Sequence, residues 1–182
     1  MAIITIFGLA GTGTSTCGKL LAKKLGYEFI STGGLFRAQA EELGLTLHEY
    51  EKNINNNPEK DKEFDQKIEK LGQERDGLVI DSRLAWYFIP HSIKIKFHCA
   101  DEIRLKRICN RDNVSREEAE HKTFFRENSH MNRYKQTYSL ADYTEDEHFD
   151  FIIETNSLTP EEIVEEILKI KNKLFIKTFY NI

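Results

Sequence analysis

Apolar residues fall along the chain in two rhythms. Short unbroken runs occur at Ile3-Ile4-Thr5-Ile6-Phe7, Leu78-Val79-Ile80-Asp81-Ser82 and Phe151-Ile152-Ile153-Glu154. Runs of this length and β-branched content predict strands buried on both faces, as in a parallel sheet. Tyr27-Glu28-Phe29-Ile30-Ser31 predicts a further short strand, and Ile93-Lys94-Ile95-Lys96-Phe97 alternates like a strand with one wetter face. Between them the spacing turns helical. Leu20, Leu21 and Leu25 share one side of a helix that Gly26 closes, and Thr32 is placed to cap a helix carrying Leu35, Phe36, Ala40 and Leu43, which Gly44 ends. Thr46 and Glu49 have capping-box spacing, and Asn57-Pro58 opens a helix with Phe64, Ile68 and Leu71 on one stripe. Asp101 is expected to cap a basic helix over 102–110, and Ser115 and Glu118 form a second capping box before a polar helix reaching Tyr134. Thr159-Pro160-Glu161-Glu162 then opens an amphipathic terminal helix with Ile163, Ile167, Ile170 and Leu174. Strands alternating with helices predict an α/β fold, a doubly wound parallel sheet of about five strands with ligands at the strands' carboxyl ends.

The chain of 182 residues suits a single domain, 1–182, with a sizeable core. A net charge of −4 argues against a general nucleic-acid surface, and no apolar stretch has the length of a membrane span. The N-terminal apolar run lacks a basic leader and passes directly into glycines, so it reads as a strand and not a signal peptide. Cys17, Cys99 and Cys109 are odd in number and form no CxxC pair, which fits reduced thiols in a cytoplasmic protein.

The first strand ends in Gly8-Leu9-Ala10-Gly11-Thr12-Gly13-Thr14-Ser15-Thr16. Strand, glycine loop and helix point successive backbone N–H groups into one hollow facing a helix N-terminus, a geometry that binds phosphate. Gly8-x4-Gly13 is P-loop spacing, with Ser15 in the hydroxyl slot for a magnesium ligand but Thr14 where the pattern has lysine. Lys19 lies too far along the helix to replace it. Arg37 and Arg83 each follow a predicted strand closely, and a guanidinium fork suits phosphate. In the polar segment 104–138, Arg107 and Arg111 share one helix face, as do Arg126 and Arg133. So few apolar residues suggest that this segment is not held mainly by core burial, and that it serves as a mobile cover. No Ser/His/Asp or Cys/His pattern occurs, and His98 beside Cys99 reads as a strand-end pair and not a metal site. Phosphoryl transfer between two nucleotides asks chiefly for positioning and charge, and a monophosphate acceptor is already largely dianionic, its second pKa being about 6. Cradle, Ser15, an acid at Asp81 and arginines on two sides fit that need.

Across nearly its whole length the chain resembles the P-loop nucleoside monophosphate kinases, and among them the archaeal-type cytidylate kinases. The resemblance rests on the glycine loop, Ser31-Thr32-Gly33-Gly34-Leu35-Phe36-Arg37, the helix around Asp61 and Asp65, Asp81-Ser82-Arg83-Leu84-Ala85-Trp86, Arg107-Ile108-x-x-Arg111, and Arg126-Glu127 with Arg133-Tyr134. It implies ATP as phosphate donor, bound by Gly8, Gly11, Thr12, Gly13, Thr14, Ser15 and Thr16, with Mg²⁺ at Ser15 and Asp81. It implies a nucleoside monophosphate, CMP or dCMP, held by Thr32, Gly33, Arg37 and Arg83, with 32–75 as the monophosphate-binding insert. Base selection is expected from that insert and from the Arg83 to Trp86 stretch. Residues 111–138 are implied to form a lid, Arg107, Arg126 and Arg133 being the catalytic arginines. A monomer acting on small-molecule nucleotides is expected. The chain departs from that branch at Asp81-Ser82-Arg83, where Glu-Gly-Arg is frequent, and at Gly34, where an acid is frequent; both bear on the acceptor base more than on the reaction. A kinase for AMP or another small phosphate acceptor stays open, as does a nucleotide-binding sensor that lost catalysis with its lysine. The Asn-Lys-x-Asp motif of guanine switches is missing, since Asn172-Lys173 runs into Leu174-Phe175.

Overall fold

The computed structural model describes residues 2–55 and 58–180, with side chains left out at 48, 51, 54, 55, 58–61, 64 and 174–180. Asn57 and the side chains of Phe64 and Leu174, named above as helix determinants, lie outside the described residues. Five strands, β1 (Ile3–Gly8), β2 (Glu28–Ser31), β3 (Leu78–Asp81), β4 (Ile93–His98) and β5 (Phe151–Glu154), form one sheet in the order β2-β3-β1-β4-β5. Every pairing is parallel. The central strand β1 is buried along its whole length, whereas β4 alternates, Ile95 and Phe97 inward and Lys94, Lys96 and His98 more exposed. Register aligns the carboxyl ends: Ile6 and Ser31 both stand opposite Asp81, Gly8 opposite Phe97, and His98 opposite Glu154. At this end His98 Nδ1 bonds the Glu154 carboxylate across the β4–β5 pairing.

One face of the sheet is covered by α1 (Thr14–Leu25) and α8 (Pro160–Tyr180), whose Cys17, Leu21, Ile163, Val164 and Ile167 pack on Ile4, Ile6, Val79 and Ile95. On the other face, Ile68 of α4 (Pro58–Glu74) and Ala85 of the short α5 (Ala85–Phe88) pack with Ile89 on Ile3, Leu78 and Ile80. α2 (Thr32–Glu42) and α3 (Leu47–Asn55) precede α4 between β2 and β3. α6 (Asp101–Asp112) and α7 (Arg116–Tyr138) lie between β4 and β5.

Helix ends follow local chemistry, with two corrections. Gly26 is left-handed, φ 67°, at the close of α1. Thr46 and Glu49 exchange capping bonds, as do Thr159 and Glu162, and Ser115 Oγ accepts from the Glu118 amide. α2, however, is capped by Ser31, whose Oγ accepts from Gly34 N at 3.2 Å; Thr32 is already helical. Asp101 does not cap α6 but sits in its first turn, where its carboxylate accepts from Arg104 Nε at 2.7 Å.

The polar segment 104–138 is better anchored than its composition suggests. Arg104 is 1% exposed; its guanidinium donates to both carboxylate oxygens of Glu127 on α7, at 2.7 and 3.1 Å. Burial alone would favour the neutral form, and the bonds and charges of Glu127 and Asp101 outweigh it, so Arg104 stays cationic. Leu105 and Ile108 pack on Ala119, and Tyr134 joins Phe7, Trp86, Tyr143 and Phe149 in an aromatic cluster. Burial does hold this segment, through aromatic and paired polar side chains together with Leu105 and Ile108. No described helix is long and apolar enough to cross a membrane, and the three cysteines are free.

Candidate active site

The loop after β1 is shaped by two glycines. Gly11 has φ +85°, and a Cβ there would lie 2.4 Å from the Arg104 carbonyl oxygen; Gly13, φ 96°, caps α1 without a side-chain bond. The first helical bond of α1 runs from Cys17 N to Gly13 O, so the amides of Thr14, Ser15 and Thr16 stand outside the ladder. Thr12 pins the turn, its Oγ1 donating to Leu9 O at 2.8 Å, while Thr155 Oγ1 donates to Thr12 O at 3.1 Å from the end of β5. Backbone donors and the positive end of the α1 dipole therefore converge on one spot.

That spot is the floor of a cavity of about 510 Å³ at the carboxyl edge of the sheet. Among the residues singled out from sequence, Gly11, Thr12, Gly13, Thr14, Ser15 and Thr16 line it, with Thr32, Gly33, Arg37, Asp81, Arg83, Arg107 and Arg126. Gly8 and Arg133 do not. Gly8 lies below the cavity, where its carbonyl accepts from the Arg83 guanidinium and Thr12 Oγ1 and Thr14 Cγ2 fill the space a side chain would need. Arg133 sits one layer back, its guanidinium carbon 4.7 Å from the Tyr134 ring centre and its Nη2 donating to Tyr134 Oη at 2.9 Å.

Three oxygens gather where a magnesium ion is implied. Ser15 Oγ and Ser31 Oγ both donate to Asp81 Oδ2, the latter at 3.0 Å. A hydroxyl and a carboxylate at a phosphate loop are hard donors that suit Mg²⁺, which takes few protein ligands and completes its shell with water and phosphate oxygens. The residues present fit the ion.

The arginines are held in different ways. Arg37 folds back over Gly33, Nη1 coming within 3.7 Å of where a Gly33 Cβ would be. Arg107 is tethered, Nη2 donating to Thr155 O at 2.8 Å and Nη1 reaching Gly11 O at 3.4 Å. Arg111 also lines the cavity, paired with Asp112 at 2.7 and 2.8 Å. Trp86, at the end of the Arg83 to Trp86 stretch, does not line the cavity, whereas Arg83 does. Trp86 is buried, stacks on His148 with ring centres 4.5 Å apart, and donates Nε1–H to the Arg83 carbonyl at 3.0 Å. Sequence reasoning missed the apolar wall of Leu158, Pro160 and Ile163. Their place just beyond β5, on the same sheet edge, was the available signal. Cys17 completes that wall; burial pushes its thiol up to about 11 against the pull of Arg107, leaving it protonated and unreactive at neutral pH.

Comparison with known proteins accords with this geometry. Residues 3–157 match the cytidylate kinase-like family. The chain is 36% identical over 166 residues to the cytidylate kinase of Methanobrevibacter smithii, covering 91% of this chain and 96% of that one. It is 33% identical over 180 residues to that of Sulfurisphaera tokodaii, covering 98% and 99%. A relative of another name, the S-adenosylmethionine-dependent nucleotide dehydratase of Lacinutrix mariniflava, is 36% identical over 168 residues, and the match spans 35% of that longer protein. Among solved structures, shikimate kinase from Acinetobacter baumannii superposes with a TM-score of 0.60 at 22% identity, covering 95% of this chain and 94% of that one. At that identity the likeness speaks for the fold alone. The glycine loop, the arginine-lined cavity beside it and the length of the match lead to one assignment: the chain belongs to the cytidylate kinase-like family of nucleoside monophosphate kinases.

Proposed function

We propose that the protein transfers the terminal phosphoryl group of ATP to CMP or dCMP. The observation that carries this reading is the meeting, in one cavity, of an uncapped helix N-terminus in a glycine loop with guanidiniums from three separate parts of the chain: Arg37, Arg83, and the α6–α7 group of Arg107, Arg111 and Arg126. Two polyanions are recognised by such a set. The amides from Gly11 to Thr16 hold the donor phosphates. Thr32, Gly33, Arg37 and Arg83 hold the acceptor phosphate, and Arg107 and Arg126 stabilise charge on the phosphoryl group in flight. Ser15 and Asp81 would ligate Mg²⁺, which when bound neutralises charge on the donor phosphate oxygens. No base is needed, because the acceptor phosphate is already its own nucleophile.

Thr14 leaves the loop without an ammonium. Arg83 offsets this, since its bond to the Gly8 carbonyl holds a permanent cation at the loop floor while the same side chain lines the cavity. The stretch 111–138 acts as the closing cover and brings Arg126 and Arg133 to the phosphates. Residues 32–75 form the acceptor side. The choice of cytosine is supported by the names of the full-length relatives, and the cavity has the size of a small-molecule site.

An acceptor screen with ATP and Mg²⁺ tests the reading by ADP release. CMP and dCMP are expected to give the highest kcat/KM, ahead of UMP and AMP. Turnover of AMP but not of CMP, dCMP or UMP would replace the acceptor, and tight ATP binding with no turnover of any monophosphate would replace the enzyme with a sensor. Arg83→Ala and Arg37→Ala should raise the acceptor KM with a smaller effect on that of ATP. Arg133→Ala should lower kcat, by up to about 10³-fold if it serves as an arginine finger.

A further inference from the structure

α7 carries a buried group that the proposed chemistry leaves unexplained. His130 of α7 is 7% exposed, and its Nδ1 has no hydrogen-bond partner among the described residues. The same holds for Arg83 Nε and for the hydroxyl of Tyr143, which is 1% exposed. The imidazole stacks on Tyr134 at 5.6 Å, the ring that carries Arg133 on its face and accepts from it. The charges facing His130 are the guanidiniums of Arg83, from the stretch after β3, and of Arg126 and Arg133 on its own helix. On the same side of the fold, Asp65 of α4 accepts from Tyr138, and Glu127 is bonded to Arg104.

A guanidinium has five N–H donors and accepts nothing. A neutral imidazole can present a lone pair to such a donor. Burial first, and then the three positive neighbours, keep His130 well below its ordinary pKa, so the lone pair persists at neutral pH. A buried donor on Arg83 and a buried acceptor on His130, each without a partner, indicate an arrangement completed on closure around an anion.

We propose that His130 is a positioning residue for Arg83, the one acceptor-phosphate arginine it faces, its Nδ1 accepting a guanidinium N–H when the phosphate draws the two side chains together. The inference rests on the kinase reading above and extends it to a residue that does not line the cavity. His130 does not touch the substrate. It orients the fork that does, so its effect falls on the acceptor.

The test compares His130→Asn, His130→Gln and His130→Phe. Asparagine puts an amide near the Nδ1 position, glutamine puts one near Nε2, and phenylalanine keeps the ring alone. CMP affinity is read by calorimetry without ATP, and the KM values of CMP and ATP by turnover. Phe and Gln should raise the CMP Kd and KM about tenfold or more, the size expected for losing a hydrogen bond to a charged group. Asn should recover most of the loss, with the ATP KM within about twofold throughout. Unchanged CMP affinity in the Phe or Gln variant overturns the inference, as does an Asn variant as impaired as Phe, or equal damage to ATP and CMP. Should the Phe variant fail to fold, the Asn and Gln pair carries the same comparison. A wild-type protein that binds and turns over no monophosphate overturns both readings, whereas an active wild type with a flat variant series overturns only the role of His130.

Discussion

Gly11 shows how one residue can join fold and site. Its positive φ is costly for any side chain, and a Cβ would drive into the α6 backbone at the Arg104 carbonyl, which has no flexible end to yield. Gly13 shares the positive φ but has open space around it. Gly11→Ala should therefore cost more stability than Gly13→Ala, the strain of about 1–3 kcal/mol being common to both and the collision being added only at Gly11. Thermal melting orders the two variants, and the ATP KM should rise in the same order, since the loop amides move with the collision. Glycine spacing was legible in the sequence because the loop is local: a few consecutive dihedrals decide it. The offsets of Arg37 and Arg83 from their strands were legible for the same reason. Arg104 was not. Helical spacing tells which arginines share a face but not which face turns inward, and the residue that decides it, Glu127, is 23 positions away. The roles of individual arginines in catalysis are likewise set by a bound nucleotide, which sequence spacing does not describe.

At the scale of elements, α7 is the instructive case. Its buried positions Ala119, Thr123, His130 and Tyr134 fall on one helical stripe, yet two of the four are polar and none is aliphatic beyond alanine. A reading based on hydrophobicity sees a solvated helix there. The strands, the helix order and the parallel sheet were legible because burial on both faces leaves long apolar runs, and the capping boxes because they span four residues. Tertiary pairing of polar groups leaves no such trace. The Arg104–Glu127 pair helps to join α6 to α7 beneath the glycine loop, beside the Leu105–Ile108–Ala119 contact, with Arg104 Nη1 also 3.4 Å from Ala10 O. Removing one member of a buried pair typically costs about 3–5 kcal/mol, and without Glu127 the Arg104 guanidinium keeps only the more exposed Asp101, which offsets part of that cost. Glu127→Ala is thus expected to lower the melting temperature more than a surface change such as Glu118→Ala, which removes an exposed i,i+4 pair with Lys122 and one first-turn charge. Circular dichroism melts of the two variants measure the difference. Equal, small shifts would mean that Arg104 finds water or another partner when Glu127 is gone.

For the molecule as a whole, the distribution of charge matters more than its sum. The chain carries −4 overall, yet five arginines line one cavity, so the acidic residues are spread elsewhere and the cavity is locally positive. Anions that enter it relieve repulsion built into the folded state, and the melting temperature should rise with CMP or ATP as mass action requires. His130 adds a pH dependence to the same balance. In the unfolded chain its imidazole takes up a proton near pH 6.5, whereas in the fold burial and the neighbouring guanidiniums hold its pKa well below that. Above the unfolded value both states are neutral there and the stability is fully present. As pH falls below it, the unfolded state binds a proton that the folded state refuses, so stability drops, by up to about 1.4 kcal/mol per pH unit for this one group. The other five histidines contribute their own slopes, so the comparison that isolates His130 is wild type against His130→Asn, melted between pH 7.5 and 5.5. The variant should lose less stability across that range. Parallel curves would mean that the imidazole gains a proton inside the fold as readily as outside it, and that the arginines around Arg83 are farther from it, or better screened, than their arrangement requires.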